Sequence, residues 1–310
     1  MISPLEFLQD LTDPDLAFLR KAVLVAVMSS VVCGVVGCHV VLRGMAFMGD
    51  AVAHAVFPGL AVAFLLQGSL VVGGVVAGVV TAVLVALFSQ GRRLREDTVI
   101  GVFFVAAFAL GIVIVSRAPG YTGTLEQFLF GSVAGVVDED LYVVGAVGSG
   151  LLLVALLLHK EIVAVSLDRE MARSARLPVL ALDLVLYVMV TVAVVISVQT
   201  IGNVLVLALL ITPAATARLL TDRLGPMMLV APLVGSASAV VGVYLSWALD
   251  LPTGGAIVLV ATVAFLVAWC LAPRHGLVAR GRGASAGRRD VEQDQPFVGV
   301  PGRSGAVTGP

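Results

Sequence analysis

The stretch FLRKAVLVAVMSSVVCGVVGCHVVL, residues 18–42, contains no Asp, Glu, Lys or Arg after Lys21. A helix needs roughly 20 predominantly apolar residues to cross about 30 Å of hydrocarbon, and this stretch supplies them. Apolar runs of similar length recur along the chain, without the period-two alternation typical of membrane β-strands. The stretch therefore predicts the first of several membrane-spanning helices.

The composition of the whole chain indicates the same fold class. Of the 310 residues, 59% are hydrophobic and 13% are charged, and the mean hydropathy is +1.08. A soluble domain has about 25% charged residues. We therefore predict an all-α, polytopic membrane protein. The acidic opening lacks the basic n-region of a cleaved signal peptide, so we expect the first span to remain in the protein.

The hydropathy predicts about nine spans and a polar tail. The spans are expected at about 18–42, 51–66, 70–90, 98–116, 141–158, 179–198, 201–220, 226–248 and 254–272. We expect residues 1–17 to form an extracellular segment with an interfacial helix over 4–17, and residues 18–272 to form the transmembrane domain. The Gly-, Arg-, Ser- and Pro-rich residues 273–310 bury little apolar area, which predicts a disordered cytoplasmic tail.

The basic residues predict the orientation of the chain. With the C-terminus in the cytoplasm, the outer side keeps Arg20, Lys21 and Arg117, and the remaining 16 of the 19 Lys and Arg residues lie inside. The positive-inside rule then places the N-terminus outside. Arg20 and Lys21 fit this rule poorly, and a tilted first span could accommodate them.

The segment GMAFMGDAVAHAVFPG, residues 44–59, places two ionisable residues in an apolar span. Ionisable groups inside a membrane indicate a function by default. Asp50 and His54 share one helix face, so a carboxylate oxygen and an imidazole nitrogen could bind one Mn²⁺, Fe²⁺ or Zn²⁺ ion. The alternative is an internal Asp–His hydrogen bond that holds helices together. Pro58 and Gly59 interrupt the same span, either to line a transport path or only for packing.

The loop KEIVAVSLDREMARSARLPV, residues 160–179, is the longest cytoplasmic connection before the tail. Asp168 is predicted to cap a short helix that extends to Arg176, with Glu170 in its first turn and Pro178 ending it. This helix could dock into a partner, or it could be a solvated surface loop.

The remaining candidate residues are interpreted structurally. Cys33, Cys38 and Cys270 lie in apolar spans and form no disulfide framework. His39, His159 and His275 lack an acidic partner at helical spacing. Glu126 lies in an outer segment of unassigned role. The sequence has no G-x-x-x-x-G-K-[ST] motif, so another chain would have to hydrolyse any ATP that drives transport.

Five segments in this order resemble the membrane permeases of bacterial manganese, zinc and iron ABC importers. They are GCHVVLRGMAFMGDAVAHAVFPGLA, EDTVIGVFF, LEQFLFGS, SLDREMARSARLPV and GNVLVLALLITPAATARLL, and the resemblance covers about residues 16–272. By this match Asp50 and His54 are the metal-path pair, and the loop from Asp168 to Pro178 couples to an ATPase. Within that loop the matched positions are Asp168, Glu170, Ala172, Leu177 and Pro178. The family commonly has Gly where Arg176 stands.

The resemblance implies a fold similar to the cobalamin-importer permease and an assembly of several chains. The implied partners are a cytoplasmic ABC ATPase, an extracellular metal-binding lipoprotein and a second permease subunit, expected as a homodimer. Nucleic acid and permanently bound cofactors are not expected, and the metal is the transported substrate. We therefore predict a non-enzymatic permease in a bacterial plasma membrane. An ion-coupled secondary carrier that uses Asp50 and His54 as a relay, and a scaffold without transport, are the alternatives.

Overall fold

The computed structural model describes residues 4–45, 47–89, 96–117 and 136–272, and all regular secondary structure in them is helical. The helices are α1 (Pro4–Asp10), α2 (Ala17–Leu42), α3 (Met48–Ala55), α4 (Phe57–Leu65), α5 (Leu70–Phe88), α6 (Glu96–Val115), α7 (Asp138–Leu157), α8 (His159–Leu167), α9 (Arg169–Ser174), α10 (Val179–Ile201), α11 (Asn203–Leu220), α12 (Leu224–Leu249) and α13 (Thr253–Leu271).

Within the described residues, eight apolar segments are long enough to cross a membrane, and α11 is a shorter apolar helix at the seventh predicted span. The prediction of an all-helical polytopic protein is therefore confirmed. Some predictions fall outside the described residues: they concern Arg92, Arg93 and Arg95, predicted to be cytoplasmic, Glu126, predicted to be outside, and the predicted tail 273–310.

Two predicted elements differ from the structure in their bounds. The second span begins at Met48 rather than at residue 51 and is interrupted beside Pro58, as predicted: α3 ends at Ala55 and α4 begins at Phe57. Pro58 lies in the first turn of α4, where its missing N–H would have no helical partner in any case, so the break falls at Val56. The interfacial helix ends at Asp10 rather than residue 17, and a separate 3-10 turn follows over Pro14–Leu16.

The central helix of the fold is α2, which packs against α7, α10, α11 and α12. Small residues permit the closest of these approaches. A Cβ atom at Gly34 would lie 3.0 Å from the backbone nitrogen of Pro232 in α12, and one at Gly37 would clash with the carbonyl of Leu210 in α11. Such contacts are how helices gain packing energy in a membrane.

Glycines also hold α4 and α5 against their neighbours. Gly59 and Gly73 face each other so closely that a Cβ on either would overlap the other's carbonyl oxygen. The predicted interfacial glycines Gly74 and Gly78 contact Val56, and Gly78 also contacts Thr191 of α10. The second predicted pair, at 131 and 135, lies outside the described residues.

An ion pair accounts for one of the basic residues at the predicted outer side. The ammonium of Lys21 lies 2.8 Å from a carboxylate oxygen of Asp138, at the start of α7. The same end of α2 is covered by the N-terminal segment, where the Trp247 indole donates to Asp10 at 3.0 Å. The ring of Phe7 packs edge-on against Tyr244. Lys21 therefore has a local counter-ion at this membrane surface.

Candidate functional site

Asp50 and His54 lie one turn apart on α3, as their spacing predicts. The Nε2 atom of His54 is 3.5 Å from Oδ1 of Asp50, and the two side chains are 21% and 30% exposed. This distance is longer than a good hydrogen bond of about 2.7–3.2 Å. Two ligands of one transition ion, with bonds of about 2.0–2.2 Å, are also roughly 3 Å apart. The geometry is therefore compatible with a shared ion.

The imidazole of His54 is held between two phenylalanines of α6. Its ring centre is 5.3 Å from that of Phe104 and 5.2 Å from that of Phe108. Phe47 and Phe57, which flank α3, pack against the same two rings. The Nδ1 atom of His54 is buried and makes no hydrogen bond to the described residues. Aromatic contacts, rather than polar partners, therefore orient this ring.

The helix that carries the pair is held closely against its neighbours. A Cβ at Gly49, beside Asp50, would lie 2.6 Å from the Leu210 side chain of α11. On the other side, Gly111 of α6 lies against Phe57, with the nitrogen of Pro58 3.1 Å from its Cβ position. In the described part of the chain, no cluster of three or more His, Cys, Asp or Glu side chains could hold an ion. Each chain thus offers two ligands here.

The predicted loop helix is present as α9 and is capped by Asp168. The carboxylate of Asp168 accepts hydrogen bonds from the backbone N–H groups of Glu170 at 2.8 Å and Met171 at 3.0 Å. An aspartate cap satisfies N–H groups that a helix leaves unpaired and favours the positive end of its dipole. The cap therefore makes this very short helix a defined element.

The end of α9 differs from the prediction. The helix stops at Ser174, two residues before Arg176, and Pro178 precedes α10 instead of ending α9. Arg176 has a φ of 58°, its N–H donates to Arg173, and the N–H of Leu177 donates to Ala172. These two bonds form a Schellman motif, whose left-handed position is usually glycine. Arginine adopts that conformation here at a steric cost.

The five predicted coupling residues do not all face outward. Ala172 is 3% exposed and Leu177 packs against the core, whereas Asp168, Glu170 and Pro178 are exposed. Sequence reasoning missed two apolar residues on the same surface: Leu167 is 73% exposed and Met171 is 72% exposed. These two side chains lie on and beside the capped helix and are candidate contacts for a partner.

A buried carboxylate joins the α9 segment to the turn before α3. Asp183 of α10 is 5% exposed and accepts from Arg43 at 2.6 Å and from Arg169 at 3.1 Å. Arg43 follows α2 and also donates to the hydroxyl of Ser166 at 2.9 Å. The pairing of Asp183 with the two arginines could not be predicted from sequence. Arg43 and Asp183 are 140 positions apart, and no local pattern indicates that they meet. The bridge connects the α9 region with the segment that leads to Asp50.

The sequence predicts structural roles for the three cysteines and for His39 and His159. Cys33 and Cys38 are buried, Cys270 is exposed, and all three are free thiols. His39 and His159 are brought together, with ring centres 5.7 Å apart. His275 lies outside the described residues.

Comparisons with known proteins place these features in a family. The model of the ABC 3 transport family matches residues 15–272. The chain is 40% identical to the manganese transport system membrane protein MntC of Halalkalibacterium halodurans over 264 residues, which are 85% of this chain and 90% of the relative. It is 36% identical to the chelated iron transport system membrane protein YfeC of Yersinia pestis over 262 residues, 84% and 89% of the two chains.

Solved structures agree with this match. The structure of PsaBC from Streptococcus pneumoniae in complex with Fab superposes with a TM-score of 0.78 at 33% identity, covering 88% of this chain and 98% of the other. An inward-facing metal-chelate type ABC transporter superposes with a TM-score of 0.65 at 18% identity, over 86% and 89% of the chains, which shows a likeness of fold. The family match and these relatives show that the chain belongs to the ABC 3 transport family.

Proposed function

We propose that this chain is the permease subunit of an ATP-driven importer that moves a divalent transition metal into the cytoplasm. The observation that carries the proposal is the Asp50–His54 pair, whose oxygen and nitrogen are 3.5 Å apart inside a membrane-spanning segment. Oxygen and imidazole ligands suit Mn²⁺, Fe²⁺ or Zn²⁺. The manganese and iron transport relatives support the same class of substrate.

A site with two ligands per chain suits transport rather than storage. Structural metal sites generally use four ligands, so two hold an ion weakly enough to release it. A second permease subunit related by a two-fold axis would supply a second pair, giving two oxygens and two nitrogens. We therefore propose a homodimer whose metal path passes between the two α3 helices, fed by an extracellular metal-binding lipoprotein.

The energy would come from a separate cytoplasmic ABC ATPase that docks on the α9 surface. Leu167 and Met171 offer exposed apolar contacts, and Glu170 adds an exposed charge. Asp168 keeps the helix rigid, while Ala172 and Leu177 anchor it to the membrane domain and Pro178 leads into α10. In this proposal a movement of the ATPase reaches the membrane domain through α9, because a docked rigid element transmits displacement.

The decisive experiment measures metal uptake by the complex in proteoliposomes with ATP inside. Asp50→Asn and His54→Ala should each reduce uptake at least about 100-fold, a loss expected when a ligand is removed. Co-purification with the ATPase should be unchanged. The matched control is Asp250→Asn, since Asp250 is exposed and has a left-handed backbone that asparagine also adopts.

The alternatives give different results in the same assay. Uptake driven by an ion gradient without ATP would identify a secondary carrier, and ATP hydrolysis insensitive to metal and binding protein would identify a scaffold. Normal uptake by either variant in an assembled complex would refute the metal-path role. For the docking surface, Glu170→Arg and Met171→Asp should uncouple ATP hydrolysis from uptake while the permease remains folded; undiminished uptake at normal expression would contradict the assignment.

A further inference from the structure

Two histidines outside the proposed transport path are in contact where α2 meets α8. His39 is fully buried, and its ring lies edge-on to that of His159, with ring centres 5.7 Å apart and planes at 69°. Both ring nitrogens of His39 and Nδ1 of His159 are buried and form no hydrogen bond with the described residues. A carboxylate oxygen of Glu161, two residues farther on, is also buried and unbonded.

These unbonded polar atoms require an explanation, because burying a polar atom without a hydrogen-bond partner costs free energy. Each costs roughly 1–3 kcal/mol when its partner is missing, and native structures contain few of them. Here three imidazole nitrogens lie on two rings in contact, and the carboxylate oxygen belongs to a residue two positions along the same helix as His159. In each neutral ring one nitrogen carries a hydrogen and the other can bind a cation, as a carboxylate oxygen also can. The group therefore indicates a bound water cluster or an ion.

The spacing of the two rings fits a shared metal ion. With metal–nitrogen bonds of about 2.0–2.1 Å, two imidazoles on one tetrahedral ion have ring centres roughly 5 Å apart. The observed ring separation of 5.7 Å is close to this value. The nearby charge of Arg43, one turn after His39, is already paired with Asp183 at 2.6 Å.

We propose that His39 and His159 form a second metal site, distinct from the Asp50–His54 pair, that takes a borderline divalent ion such as Zn²⁺. Imidazole ligands bind Zn²⁺ in preference to Mn²⁺, in accordance with the Irving–Williams order. His159 is partly exposed and provides the entry, while His39 closes the site from within. An ion held here ties α2 to α8, the helix that leads directly into Asp168 and α9.

The test measures Zn²⁺ binding to the purified complex in the Asp50→Asn/His54→Ala background, which removes the transport pair. At free Zn²⁺ concentrations high enough to saturate a weak site with two protein ligands, equilibrium dialysis should give one Zn²⁺ per permease chain, not displaced by equimolar Mn²⁺. His39→Phe and His159→Phe should each weaken binding more than about 100-fold, because even the loss of a group that only orients a ligand costs about 10–100-fold. His275→Ala, in the tail, is the control and should bind normally.

X-ray absorption at the zinc edge gives a readout that needs no histidine variant. It should show two imidazole ligands at about 2.0–2.1 Å. Absence of stoichiometric Zn²⁺, binding that survives His39→Phe, or a spectrum without two imidazoles would each overturn the site and leave the group to buried water. These results do not depend on uptake, so failure of the transport proposal leaves them interpretable.

Discussion

At the scale of single residues, the chemistry of the metal path depends on how His54 is oriented. A histidine that binds metal is commonly fixed by a hydrogen bond from its second ring nitrogen to a carboxylate or carbonyl. Here that nitrogen, Nδ1, has no such partner among the described residues, and Phe104 and Phe108 enclose the ring instead. Packing therefore has to supply the orientation that a polar partner usually provides.

Loss of that packing should weaken transport without removing a ligand. We expect Phe104→Ala or Phe108→Ala to lower uptake at limiting metal about 10-fold or more, because a ligand misplaced by about 1 Å can cost up to 100-fold. Initial uptake rates over a range of metal concentrations would measure the effect. Phe103→Ala, on the same helix but packed against Phe88, is the matched control. Equal losses in all three variants would indicate a general packing defect.

The left-handed residue Arg176 gives a second residue-scale prediction. An L-residue with φ near 58° bears a steric cost of about 1–2 kcal/mol that glycine does not, although glycine costs about 0.4–1 kcal/mol more in unfolded-chain entropy. We expect Arg176→Gly to raise the free energy of unfolding by up to about 1 kcal/mol and Arg176→Val to lower it. Thermal unfolding of the detergent-solubilised complex would measure both. A destabilised glycine variant would show that contacts of the Arg176 side chain dominate.

At the scale of elements, the Asp183 bridge links the proposed docking helix α9 with the turn before α3, the proposed metal-binding helix. Its carboxylate is buried and shared by Arg43, at the turn that leads to α3, and Arg169, the first residue of α9. Removing one partner of a buried ion pair costs about 3–5 kcal/mol, because the other charge stays unpaired. We therefore expect the bridge to transmit a displacement of α9 to α3 only while both of its ion pairs are intact.

Neutralising Asp183 should separate ATP hydrolysis from transport. We expect Asp183→Asn to lower the amount of metal taken up per ATP hydrolysed several-fold, while Asp50 and His54 still bind metal. The coupling ratio in proteoliposomes is the measurement, and Asp250→Asn again serves as the control. An unchanged ratio in a stably assembled complex would show that α9 communicates with α3 by another route.

The helices could be predicted from sequence because each span carries its own signal. A helix occurs at each predicted span, and Asp168 caps α9 as predicted. Pro58 predicted the interruption of the second span, although not that the proline would begin a new helix. The stop of α9 at Ser174 and the Asp183 bridge could not be predicted. Arginine is not the usual residue at the left-handed position after a helix, and nothing local pairs Arg43 with Asp183. The spacing in the sequence predicted that Asp50 and His54 are neighbours. The phenylalanines around His54 belong to another helix, so they could be identified only from the fold.

At the scale of the whole molecule, the charge distribution predicts how the permease lies in the membrane. We expect residues 168–172 and the arginine-rich tail to share the cytoplasmic side and residues 117–138 to lie outside, because 16 of the 19 basic residues then lie inside. If the shorter helix α11 crosses the membrane together with the eight longer segments of the described residues, the number of crossings is odd and the two termini lie on opposite sides. The ion pair of Lys21 with Asp138 reduces the one conflict with this orientation, since a paired lysine carries less net charge at the outer surface.

Single-cysteine labelling would test this orientation in cells. Starting from a chain whose three cysteines are replaced by alanine, an impermeant maleimide should label Thr122→Cys and Gln67→Cys and spare Arg173→Cys until the membrane is opened. Gln67 and Arg173 are both exposed, so a difference between them reports sidedness rather than burial. The reverse pattern would place α9 outside, where no cytoplasmic ATPase could reach it, and would refute both the orientation and the docking surface proposed for Leu167 and Met171.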